Sequence, residues 1–133
     1  MREGSQAMLS AAPANEPDAG DLLDRRCVEE IRHIERVTGR SDLFSGFVLM
    51  LERNLGAFRA AFCDCVARGD AAGAARTAHT LKGACRQLGA QALGDLFHQI
   101  EASAKAGDYA DAQRRFDGGA ALIAQSLQAL KLA

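Results

Sequence analysis

The stretch AHTLKGACRQLG, residues 78–89, carries the pattern of a helix with one buried stripe: Ala78, Leu81, Cys85 and Leu88 recur every three or four positions. The same stretch places Gly83 inside that helix. A helical glycine costs roughly 1 kcal/mol relative to alanine, because more backbone freedom is lost on folding. His79 follows Ala78 and therefore points about 100° away from the centre of the stripe. It shares its face with Arg76, Lys82, Gly83 and Arg86, at spacings of three, four and seven. Ala75 lies one turn before the histidine and Gly83 one turn after it, so the imidazole is flanked along the helix axis by very small side chains. A large, flat partner can reach such a ring without collision.

The same period extends outward in both directions. A first helix carries Leu23, Cys27, Ile31 and Ile34, and a long second helix carries Phe44, Phe47, Val48, Leu51, Leu55, Phe58, Phe62 and Val66. The helix of His79 is the third, with Ala74 also on its stripe, and a fourth carries Leu93, Phe97, Ile100 and Ala104. A fifth runs through Tyr109, Ala112, Phe116, Ala120, Ile123, Leu127 and Leu130. No alternating strand pattern competes with these stripes. Arg68-Gly69-Asp70 and Ala106-Gly107-Asp108 each read as a glycine ending one helix and an aspartate capping the next. Gly39 with Ser41 reads the same way, and Gly89 ends the third helix after Leu88. Such short connections make sequential helices antiparallel, which predicts an all-α fold. It is an up-down four-helix bundle with an additional N-terminal helix leaning across one end or side. The third helix is poor in bulky residues, so its neighbours can approach it closely.

Composition sets the outer bounds. The chain has 133 residues, 48% of them hydrophobic and 25% charged, which suits one soluble domain. Residues 1–20 hold both prolines and no periodic pattern, and read as a flexible leader or linker before a bundle domain at 21–133. A net charge of −1 argues against nucleic-acid binding. No apolar run approaches the roughly 20 residues of a membrane span, so no membrane contact is expected. Cys27, Cys63, Cys65 and Cys85 form no CxxC pair and read as small core or boundary residues in a reducing, cytoplasmic setting.

The chemistry of the His79 face points to a carried anion. Neutral imidazole is nucleophilic near pH 7, and a phosphoryl group on it needs the neutralising charge that Lys82 and Arg86 offer. An exposed histidine among solvated basic residues is the plain alternative at this level.

AHTLKGACRQLGA resembles the signature of the histidine-containing phosphotransfer (HPt) domain, roughly His-x-Leu-Lys-Gly, four residues, then Leu-Gly. The similarity extends to ARGD at 67–70, LFHQIE at 96–101 and AKAGD at 104–108, and covers about residues 22–131. Between Gly83 and Leu88 this chain has Cys85, Arg86 and Gln87, where many relatives have small residues and an Asn. The resemblance implies that His79 is the phospho-acceptor and that Lys82 assists the phosphoryl group. It implies that Gly83 clears room for the partner, with Arg76 and Arg86 on the same docking face. It further implies that Glu101 occupies a position that in relatives can hydrogen-bond the histidine ring. The implied function is a phosphorelay carrier that is not itself an enzyme, with no ATP site and no cofactor of its own. Mg²⁺ would be supplied by the receiver domain of a hybrid sensor kinase or response regulator, and the carrier is expected to be a monomer. Two other readings compete: a helical adaptor with His79 incidental, and a di-metal bundle built on Glu30 with His33 and Asp95 with His98. The second lacks a carboxylate on the third helix beyond Asp70.

Overall fold

A computed structural model describes residues 22–133. The expected leader at 1–20 lies outside the described residues. Those described form α1 (Arg25–Thr38), α2 (Leu43–Ala67), α3 (Ala71–Gln87), α4 (Gln91–Lys105), α5 (Tyr109–Gly118) and α6 (Ala120–Leu132), with no strand among them. The turns are closed as their residues demand. Gly39, Gly69, Gly89 and Gly107 have φ of 74°, 73°, 84° and 78°, the left-handed conformation that glycine adopts without steric cost. The Asp70 carboxylate accepts the Gly73 N–H, and the Asp108 carboxylate accepts the Asp111 N–H, so each satisfies an amide that the helix itself leaves open.

Helices α2, α3 and α4 and the α5–α6 pair alternate in direction and close into a bundle as α6 returns against α2. The α3–α4 pair packs most extensively, because Ala74 and Ala78 let the two backbones approach. Phe62, Phe97, Leu51, Leu88, Leu93, Ile100 and Leu130 fill the interior. Phe58 meets Phe97 edge-on with centroids 5.3 Å apart, an arrangement that aligns one ring's positive edge with the other's negative face. The start of α1 docks on the α3–α4 turn through Asp24 N–H to the Gly89 carbonyl, at 2.6 Å. Further along, the Arg32 guanidinium donates to the Ala133 carbonyl at 3.2 Å. α1 therefore lies across the bundle end where α2 and α4 begin and α3 and α6 finish.

Four details differ from the sequence reading. The Asp24 carboxylate caps the Arg26 N–H, so α1 starts at Arg25 and Leu23 precedes it. The buried face is then Val28, Ile31 and Glu35, and Ile34 is exposed. Ser41 is not the cap of α2: Asp42 holds that position without capping the helix through its side chain, and Glu35 takes over. One Glu35 oxygen accepts the Phe44 N–H at 2.8 Å and the other is held by Arg32 at 2.9 Å. The Phe44 amide, then Arg32, hold this carboxyl below its usual range. The fifth helix is not continuous, since it breaks at Gly119, between Gly118 and Ala120. A Cβ on Gly119 would lie 2.5 Å from Leu96 Cδ2, so the break lets α4 press against the chain. Beyond it the burial shifts to Ser126 and Leu130, and Ala120 is exposed. Cys65 and Cys85 are buried and Cys27 half-buried as expected, but Cys63 is exposed. Burial pushes the Cys85 thiol up to about 12. No helix among the described residues is long and apolar enough to cross a membrane.

Candidate functional site

The α3–α4 seam brings two residues of the sequence reading together by the same offset. His79 follows the buried Ala78 on α3, and Glu101 follows the buried Ile100 on α4. Each therefore emerges at the edge of its helix's packed ridge, and the two edges face each other. His79 Nδ1 lies 3.0 Å from Glu101 Oε2. The imidazole side chain is 64% exposed and the carboxylate only 5%.

Two lysines complete the arrangement. Lys82, one turn after His79 and 15% exposed, places Nζ 2.6 Å from Glu101 Oε1. Lys105, one turn after Glu101 and 66% exposed, places Nζ 3.1 Å from Oε2. Both lysines meet the carboxylate as ion pairs, Lys82 at Oε1 and Lys105 at Oε2. Burial pushes the Glu101 carboxyl upward, but Lys82, Lys105 and His79 together outweigh it and hold the group at about 2. An ionised carboxylate can only accept, so Nδ1 of a neutral ring must carry the proton. The lone pair then resides on Nε2 of a largely exposed imidazole.

The ring borders a shallow groove with Ala71, Ala72, Ala75 and Ala104 along it and Arg76 and Lys105 beside it. On the other side a Cβ built on Gly83 meets nothing within 4 Å. Arg86 shares the face but is engaged elsewhere: it reaches Asp95 at 3.4 Å, and its stem lies over Gly94, where a Cβ would come within 2.9 Å of Cγ. Lys105 was not singled out from the sequence, although Glu101-x-x-x-Lys105 is a readable i,i+4 pair. His33 and His98 are exposed. No group of three His, Cys, Asp or Glu side chains among the described residues is arranged to hold a metal ion.

Comparison with curated proteins and with solved structures found no match. The family model for the Hpt domain matches residues 42–133, from the N-cap of α2 to the last residue, and so spans the whole α3–α4 seam. An all-helical bundle carrying a histidine, a lysine and a buried carboxylate at one seam belongs with that match, and the chain is a member of the Hpt domain family, whose modules carry phosphoryl groups on histidine in phosphorelays.

Proposed function

We propose that this chain accepts a phosphoryl group on His79 Nε2 from the aspartyl phosphate of a receiver domain and passes it to the aspartate of another. The observation that carries this reading is the exposed imidazole whose Nδ1 is held by the buried Glu101 carboxylate. In the transfer, the Nε2 lone pair attacks phosphorus, an N–P bond forms, and the P–O bond to the aspartate breaks with the electron pair leaving on the carboxylate. The proton stays on Nδ1, and the ring gains positive charge as the N–P bond forms. Glu101 lies where that charge develops, and so stabilises the transition state more than the resting ring. Lys82 is one turn from the reacting nitrogen and supplies a mobile positive charge for the phosphoryl oxygens. Any Mg²⁺ in the reaction belongs to the receiver, and the module acts as a carrier with no ATP site or cofactor of its own.

Docking uses the space that the small residues leave. Gly83 on one side and the alanine groove on the other admit a receiver surface down to the ring, with Arg76 at the groove wall and Arg86 further along the face. The donor in this scheme is the receiver domain of a hybrid sensor kinase and the acceptor a response regulator. Four free cysteines fit a reducing, cytoplasmic setting. The test is incubation with a phosphorylated receiver domain. The wild type should gain acid-labile, base-stable label and His79→Gln should gain none; label that persists in His79→Gln places the acceptor elsewhere.

A further inference from the structure

Resting on that reading, we infer that Lys105 is a positioning residue that holds Glu101 on the imidazole while Lys82 leaves Glu101 for the phosphoryl group. The two lysines divide the carboxylate between them. Lys82 lies against Oε1, and Lys105 lies against Oε2, the oxygen that also accepts from His79 Nδ1. Lys82 is on the helix of His79 and one turn away, so it can swing to a phosphoryl group on the ring. Lys105 is on the helix of Glu101 and stays beside the carboxylate whatever α3 carries.

Charge counting explains why two cations are needed. The resting cluster of Glu101, Lys82, Lys105 and a neutral His79 has one surplus positive charge. A phosphoryl group brings about −2, and the ring that keeps its Nδ1 proton gains +1, so the phosphorylated cluster is about neutral. Without Lys105, the resting cluster would be neutral and the phosphorylated one would carry about one net negative charge, with a 5% exposed carboxylate near the new anion and Lys82 serving both. The carboxylate would then keep no lysine of its own once Lys82 turns to the phosphoryl group, and its hold on Nδ1 would loosen. Lys105 therefore matters more after phosphorylation, when Lys82 is drawn to the phosphoryl group, than before it.

The experiment uses the full chain, phosphorylated by phosphoramidate, whose P–N bond breaks as Nε2 bonds to phosphorus and ammonia leaves. Imidazole ¹⁵N–¹H spectra of His79 are recorded for wild type, Lys105→Met and Lys105→Arg, before and after phosphorylation. Melting temperatures and transfer rates to a receiver domain accompany them. In the resting state Lys105→Met should keep the wild-type Nδ1–H signal, because Lys82 still holds Oε1. After phosphorylation it should lose that signal, and transfer should slow. Lys105→Arg should restore both. A phosphorylated Lys105→Met with wild-type signal and rate overturns the inference. So does an Nδ1–H signal already lost at rest, because Lys105 would then shape the unmodified site. A wild type that takes no label on His79 overturns the underlying reading, and it does so without reference to any Lys105 variant.

Discussion

Replacing Glu101 with glutamine isolates the charge at the centre of the cluster while keeping its shape. The Glu101 carboxyl titrates at about 2 in the folded chain, against 4.5 as an ordinary glutamate. A folded-state value below the unfolded one means that ionised Glu101 stabilises the fold above about pH 4.5 and loses that contribution as pH falls toward 2. At pH 7 the contribution is about 3 kcal/mol, and by pH 3 about 2 kcal/mol of it is gone. The neutral amide of Glu101→Gln imitates the protonated carboxyl at every pH. Urea unfolding followed by circular dichroism should therefore find the variant about 3 kcal/mol less stable at pH 7 and about 1 kcal/mol less stable at pH 3. Asp24, Glu35 and Asp111 also have lowered carboxyl values, but both proteins contain them and their acid losses cancel in the difference. A gap of equal size at both pH values would refute the reasoning, because Glu101 would then titrate like a solvated glutamate and the two lysines would not enclose it. The variant should also transfer phosphoryl more slowly, since the anion beside Nδ1 is lost.

Three further outcomes follow from the same geometry. His33→Gln and His98→Gln should label as the wild type does, while His79→Gln should not, as read by acid-labile, base-stable incorporation from a phosphorylated receiver. Gly83→Ala should hold or raise stability by up to about 1 kcal/mol, because its methyl meets open space, whereas Gly83→Leu should slow transfer strongly with an unchanged melting temperature. Ser126 Oγ is buried with no hydrogen-bond partner in the protein, so Ser126→Ala should stabilise by about 1 kcal/mol in urea unfolding.

Periodicity and glycine placement made most of the bundle readable. The stripes of the third and fourth helices, Ala74 to Leu88 and Leu93 to Ala104, are buried throughout, and both Gly-Asp turns close as read. The misreadings share one cause: a long-range partner replaced a local signal. Ser41 looked like a cap because the local pattern fits, yet the Glu35 carboxylate reaches nine residues along to the Phe44 N–H. Leu23 looked like part of a helical stripe, but the Asp24 cap and its bond to Gly89 start the helix later. The apolar pattern of the fifth helix runs straight through Gly118 and Gly119, and only the proximity of Leu96 shows why the backbone breaks there. Within the site, spacing placed Lys82 beside His79. It could not show that Glu101 is buried, because a carboxylate next to Ile100 looks the same in sequence whether it faces water or a neighbouring helix.

The open space at Gly83 does not by itself identify a docking surface. Gly46 and Gly56 also sit inside a helix, α2, and a Cβ on either also meets nothing within 4 Å. All three positions give up helix propensity without any packing contact in return. What separates Gly83 is its position one turn from an imidazole whose Nδ1 is occupied and whose remaining nitrogen faces outward for reaction. A side chain there would stand between that nitrogen and an approaching aspartyl phosphate, which must come within bonding distance along a defined line. Side chains at Gly46 or Gly56 on α2 would obstruct no reacting atom. Alanine at those two positions should therefore raise stability and leave phosphotransfer unchanged. A bulky residue at Gly83 should instead slow phosphotransfer and leave the melting temperature unchanged, so rate and stability separate according to distance from His79.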